Sequence, residues 1–157
     1  MKKILLIMLL LLVSSCGSSA VSSETFDSLE RLSFNELQTF IDEGQSGLIY
    51  FGWTEKCPDS TLMQKNYLYE LVANEEGVRN NMWVVDLDVE SPDSLMDKDL
   101  REPMTEQFGV KYGPTVLLIE DGEIVDMIEW TPLSADDKTA IPLETIETFF
   151  ENSGYLE

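Results

Sequence analysis

Residues 56–60 read Lys-Cys-Pro-Asp-Ser, shortly after the apolar run Leu48 to Trp53. Proline suits the first position of a helix, where its missing N–H is not needed. Cys57 therefore falls at the N-cap, where the sulfur is expected to be accessible and to accept hydrogen bonds from the amides of Asp59 or Ser60. A helix N-terminus and the neighbouring Lys56 favour the thiolate, which is the nucleophilic form. The carboxylates of Asp59 and Glu55 oppose it, so the expected preference for thiolate is modest. Such a sulfur can attack a disulfide of another molecule and form a mixed disulfide with it. Ser60 cannot release that adduct, because a hydroxyl neither forms a disulfide nor ionises near neutral pH. It can donate a hydrogen bond to the thiolate, or serve only as a tolerated polar residue in the first helical turn. Turnover then needs an outside thiol, either a second cysteine of the substrate, which is isomerisation, or a separate reductant.

Composition removes most other chemistry. The 157 residues include no histidine and only two cysteines. Triads, general bases and metal sites that use histidine are excluded. Asp86, Asp88, Glu90 and Asp97 half-match a calcium loop, but Ser91 stands where that loop needs glycine, and Asp86 lies inside a β run. Carboxylates facing solvent at a strand end are the favoured reading, and neither a metal nor a cofactor is expected. Trp53, Trp83 and Trp130 are read as packing residues in preference to a sugar-stacking platform.

The chain opens with Lys2 and Lys3, an apolar stretch from Ile4 to Val13, and serines leading to Cys16. This is the pattern of a secretory signal peptide, residues 1–15, too short to span a bilayer. Val-Ser-Ser-Cys at 13–16 resembles the bacterial lipoprotein cleavage box. The resemblance implies a lipid on Cys16, which holds the protein at the cell membrane on its extracytoplasmic face. Residues 16–27 then form a tether and residues 28–157 one domain. With Cys16 lipidated, Cys57 is the sole thiol and no structural disulfide can form within the chain. The formal charge is −20, and loss of the signal peptide removes two lysines and no acids. Such a surface disfavours nucleic acid and anionic headgroups and favours cationic partners.

The elements that must hold Cys57 follow from periodicity. Ser33 and Glu36 form a capping box, with Leu32 stapled on Leu37, opening a helix that ends at Gly44. Leu48–Trp53 reads as a strand buried on both faces. A helix from Pro58 to Gly77 carries Met63, Tyr67 and Leu71 on one stripe, flanked by Leu68 and Val72. Met82–Val89 is a second strand, and residues 91–108 are loop and helix broken around Pro103. Runs at 116–120 and 123–130, joined by Asp121-Gly122, make a hairpin. A loop leads to a last helix that starts at Pro142, with Leu143, Ile146, Phe149 and Phe150 inward. The order α-β-α-β-α-β-β-α predicts an α/β fold whose central mixed sheet is flanked by helices. Its strands separated by helices are expected to be parallel, with one antiparallel hairpin added late.

Three segments together resemble the thioredoxin-like superfamily: Leu-Ile-Tyr-Phe-Gly-Trp-Thr-Glu-Lys-Cys-Pro-Asp-Ser, Trp-Val-Val-Asp-Leu-Asp, and the stretch Phe108 to Asp126. Within it the chain looks similar to extracytoplasmic lipoproteins of Gram-positive bacteria, including the accessory disulfide isomerases linked to bacteriocin export. The resemblance implies that Cys57 is the nucleophile. It also implies a cis peptide before Pro114, and that Pro58, Gly113 and Pro114 form the shelf for a substrate peptide. The partners implied are exported proteins or peptides with cysteines and an external thiol reductant. Three departures stand out. Gly113 replaces the usual β-branched residue, Phe51 stands where thioredoxins carry a buried acid, and Ser60 replaces the second cysteine. The expected function is thiol–disulfide exchange or isomerisation at a monothiol site. Its competitor is a non-catalytic, chaperone-like binding protein on the same fold.

Overall fold

The computed structural model describes residues 22–156; the signal-peptide segment and Cys16 lie outside that range. Strands β1 (Gly47–Gly52), β2 (Met82–Asp86), β3 (Thr115–Glu120) and β4 (Glu123–Glu129) form one sheet in the order β2-β1-β3-β4. β1 and β2 are parallel, as expected, and β3 and β4 form the antiparallel hairpin. Asp121 and Gly122 both take positive φ, 50° and 79°, which is the two-residue turn that matches strand twist. The pairing of β1 with β3 is antiparallel, not parallel. The register shows why. β2 ends with Asp86 opposite Gly52, and β3 begins with Thr115 opposite Phe51. The connection starts and finishes at one end of the sheet, so the chain can only run back.

β1 is buried on both faces along its whole length. Leu48 and Tyr50 point into one core, shared with Met63, Leu68, Val72, Ile146, Phe149 and Phe150. Ile49 and Phe51 point into the other, with Leu37, Phe40, Met104 and Phe108. Helices α2 (Phe34–Asp42) and α7 (Glu102–Phe108) cover the second face. The first is covered by α3 (Pro58–Met63), α4 (Tyr69–Asn74) and α8 (Leu143–Asn152). The capping box on α2 forms in full, and Leu32 and Leu37 share a core cluster. Among the described residues no helix is long and apolar enough to cross a membrane.

Several boundaries differ from the sequence reading. A helical turn, α1 (Glu24–Asp27), buries Phe26 against Tyr50, so packed structure begins inside the segment read as tether. The helix after Cys57 contains a π-helical segment, Gln64–Leu68, between α3 and α4. That wider turn shifts the buried stripe by one residue, so it runs Met63, Leu68, Val72, with Tyr67 and Leu71 only partly buried. Glu75 is extended and breaks the helix, and Gly77 lies inside a separate turn, α5 (Glu76–Asn80). β2 stops at Asp86, where that side chain caps α6 (Leu87–Glu90) by accepting from the Asp88 amide. A 3-10 turn, Lys98–Arg101, gives way to α7 next to Pro103, which lies in the first turn of α7, and Pro142 is the N-cap of α8, not its first residue. Leu143, expected inward, is 44% exposed.

Candidate functional site

Cys57 stands at the end of the sheet where β1 stops and α3 begins, and the loop between them is held by carboxylates from the neighbouring strand end. Thr54 Oγ1 donates to Asp86 Oδ2 at 3.0 Å, and the Glu55 amide donates to Asp88 Oδ2 at 2.7 Å. Arg31 bonds the same Asp86 oxygen. Asp86 and Asp88 are thus committed to protein donors and largely buried, which corrects the reading of carboxylates facing solvent. Lys56 is also redirected: its ammonium lies 3.7 Å from Asp88 Oδ1.

Cys57 has the extended backbone of an N-cap residue, φ −92° and ψ 120°, but its side chain makes no cap hydrogen bond. The expected bonds from the Asp59 and Ser60 amides are absent. The sulfur is also less accessible than its position suggests. Cys57 is 5% exposed and packs in the cluster that contains Trp53 and Phe51. Ser60 is fully buried, and its hydroxyl meets no hydrogen-bond partner, the sulfur of Cys57 included. At the position where the fold's redox members carry an acid, Phe51 stacks with Phe34 at 6.4 Å and packs on Phe108 at 5.7 Å. A phenyl ring at this position carries no titratable proton. The opposite face of β1 is more polar. There the Tyr50 phenol accepts from Gln64 Nε2 at 3.0 Å. Burial pushes this phenol well above the ordinary tyrosine range, against a smaller lowering by Gln64 and by nearby Ser60, which comes close without reaching bonding geometry.

What remains open to Cys57 is a cleft of about 180 Å³, lined also by Trp53, Asp59, Arg101, Tyr112, Gly113 and Trp130. Arg101 is the residue that sequence reasoning missed. It is 9% exposed, and its guanidinium donates to three carbonyls: Ser94 at 2.7 Å, Leu95 at 3.0 Å and Lys111 at 3.4 Å. It also stacks over Trp53 at 5.1 Å and Tyr112 at 5.8 Å. No carboxylate among the described residues pairs with it. Burial pulls the guanidinium below its usual range, whereas the ionisable groups of Tyr112 and Cys57 act to raise it. The sequence carried one faint signal, a lone arginine in the acidic stretch before Pro103.

The other wall of the cleft includes Tyr112 and Gly113, within the segment Lys111 to Pro114. Glu129 fixes it by accepting from the amides of Lys111 at 2.6 Å and Tyr112 at 2.9 Å. The Gly113–Pro114 peptide is cis, and Trp130 N donates to the Pro114 carbonyl at 2.9 Å. Among the described residues neither the N–H nor the carbonyl of Gly113 has a hydrogen-bond partner. The glycine itself has a steric cause. A Cβ at that position would sit 2.9 Å from Cζ3 of Trp53, so the indole occupies the volume that a β-branched side chain would fill. The structure therefore brings Cys57, Gly113 and Pro114 to one end of the sheet and leaves Ser60 beneath the surface. Trp53 and Trp130 line the cleft, whereas Trp83 packs on Phe40 elsewhere, so the three tryptophans share no platform.

No family model matches the sequence, and no curated protein matches it. Solved structures do. A chain from a structural study of thiol resolution in yeast mitochondrial 1-Cys peroxiredoxin by the glutathione and thioredoxin systems is 21% identical. The match covers 81% of this chain and 97% of that one, with a TM-score of 0.54. Thioredoxin f2 of Chlamydomonas reinhardtii is 13% identical over 82% of this chain and 99% of its own, with a TM-score of 0.53. Thioredoxin O2 of Arabidopsis thaliana is 17% identical over 80% and 93%, with a TM-score of 0.51. Sheet order, the cis proline and these matches agree, and the chain has the thioredoxin-like fold.

Proposed function

We propose that this protein exchanges disulfides through a single sulfur, Cys57, on exported proteins or peptides, tethered to the extracytoplasmic face of the membrane by a lipid on Cys16. One observation carries the reading. The only free thiol among the described residues lines a cleft beside the unpaired backbone N–H and carbonyl of Gly113. An extended substrate segment can pair with that backbone and present a disulfide to the sulfur. Exchange gives a bond between Cys57 and one substrate sulfur and frees the other as a thiolate. Ser60 cannot resolve the adduct, so the substrate's own freed thiol or an external thiol must do so. The acidic surface, formally −20, suits cationic substrates. Signal peptide, lipid box and monothiol site support reading the protein as one of the extracytoplasmic accessory isomerases associated with bacteriocin export.

A second reading has its own observation. Cys57 is only 5% exposed, and Met96 and Leu133, which follow the cleft residues Leu95 and Pro132 in the chain, are 89% and 100% exposed. Those features suit a binding protein that holds unfolded segments without turnover. The test is a non-reducing gel of envelope protein from cells that carry either the native chain or Cys57→Ala. Exchange predicts mixed-disulfide bands in the native sample that vanish with reductant and with the substitution. Identical banding removes the exchange reading and leaves the binding one.

A further inference from the structure

Arg101 has no role in the exchange just described, yet it is the one buried cation in the cleft, and its charge meets no carboxylate among the described residues. Burying a charge without a counter-charge is costly, and carbonyl acceptors offset only part of that. Three of its five N–H groups are committed to carbonyls, which leaves donors over. The indole N–H groups of Trp53 and Trp130, two residues of the cleft lining, are buried without a partner and compete for none of its acceptors. Lys98 lines the rim, and Asp59 is the sole carboxylate there. Burial raises the Asp59 carboxyl above its usual range. The aromatic faces of Trp53 and Tyr112 already carry Arg101, so they are not waiting for a cationic ligand. This is a pocket rich in donors and poor in acceptors, inside a protein whose overall field is strongly negative.

From the shared cleft of Arg101 and Cys57 we infer that the small reactant for Cys57 is a thiol acid or its disulfide, bound by its carboxylate to Arg101. The inference rests on the exchange reading and names its external thiol. Because the donors and the sulfur share one small space, the carboxylate must lie within a few bonds of the reacting sulfur. The chemistry balances. The Cys57 thiolate attacks one sulfur of the small disulfide, a bond forms between Cys57 and that sulfur, and the original disulfide bond breaks. The second half leaves as a thiolate with the electron pair and takes a proton from water. Cys57 is oxidised by that exchange, and half of the small disulfide is reduced. A second thiol acid reverses the step and restores Cys57.

The test measures how fast Cys57 forms adducts with three small disulfides, read by intact mass spectrometry. They are dithiodiglycolate, which is anionic, hydroxyethyl disulfide, which is neutral, and cystamine, which is cationic. Each rate is normalised to that of mercaptoethanol with the same disulfide. The inference predicts dithiodiglycolate ahead of the neutral probe by about tenfold or more, the factor of a charge-assisted hydrogen bond. The global charge alone predicts the reverse order, with cystamine first. Arg101→Gln should abolish the anionic preference, read as the ratio of the dithiodiglycolate rate to the hydroxyethyl disulfide rate in the same variant. The comparison on the native protein stands even if that variant fails to fold. Equal rates, or cystamine first, overturn the inference and leave the exchange reading intact. Reaction with none of the three overturns both.

Discussion

Adding one methyl group at residue 113 probes the geometry on which the cleft depends. An ideal Cβ on Gly113 lies 2.9 Å from Cζ3 and 3.3 Å from Cε3 of Trp53. That indole is 1% exposed and has Arg101 stacked 5.1 Å away, so it cannot swing aside freely. Overpacking of this kind costs about 1–3 kcal/mol. The competing effect has the opposite sign. Gly113 does not take a left-handed backbone conformation, so in open space alanine would stabilise by about 0.4–1 kcal/mol through the unfolded chain. A net loss of about 1–2 kcal/mol is expected for Gly113→Ala, a fall of roughly 3–8 °C in Tm for a domain of this size. Urea unfolding measures the loss. Trp53→Leu removes the obstructing ring, so the double variant should recover most of it, a coupling of about 1–2 kcal/mol in a mutant cycle. Alkylation of Cys57 by iodoacetamide gives a second readout, because the displaced indole lines the sulfur's own cleft. If Gly113→Ala is as stable as the native protein and shows no coupling to Trp53, the steric argument for this glycine is wrong.

Other outcomes follow from single contacts. Ser60→Ala removes a buried hydroxyl without a partner and should stabilise by about 1 kcal/mol in urea unfolding, since an unmade bond carries its desolvation cost; destabilisation would reveal a hidden partner. Ser60→Cys supplies the missing resolving sulfur and should confer turnover on a generic disulfide substrate with an added dithiol; no gain would show that more than a sulfur is missing. Asp88→Ala deletes the acceptor of the Glu55 amide and should speed Cys57 alkylation severalfold, at a stability cost of about 1 kcal/mol; an unchanged rate would mean that this contact does not hold the loop. Glu36 is held below its usual range by the Ser33 backbone and hydroxyl, and Asp136 by the amides of Lys138 and Thr139. Both folded values are depressed, so their stabilisation is present above the ordinary carboxylate range and is lost as pH falls through the folded values. The urea midpoint should therefore drop on acidification, less steeply in Glu36→Gln.

The elements that depend on neighbours in sequence were legible. The capping box at Ser33 and Glu36, the doubly buried β1, the Asp121-Gly122 turn and the Pro58 helix start each follow from residues a few positions apart, where backbone geometry leaves few choices. The cysteine's place at the strand end and the fold class followed from their order, whereas the expectation that Gly113 and Pro114 meet Cys57 came only from the resemblance to the thioredoxin-like superfamily. Boundaries were harder where two local patterns compete: the π turn at Gln64–Leu68 moves the buried stripe by one residue with no change in composition.

What only the tertiary structure decided is the character of the cleft. Periodicity says that residues between Ser91 and Phe108 include some helix, but it does not aim Arg101 at a sulfur on another element. Nor does it place an indole where a β-branched side chain at residue 113 would go. The direction of β3, the capture of Asp86 and Asp88 by the Cys57 loop, and the burial of Cys57 are all set by which ends of the sheet the connections join. Those are contacts between segments far apart in the chain, and their energies depend on packing and desolvation that no local pattern encodes.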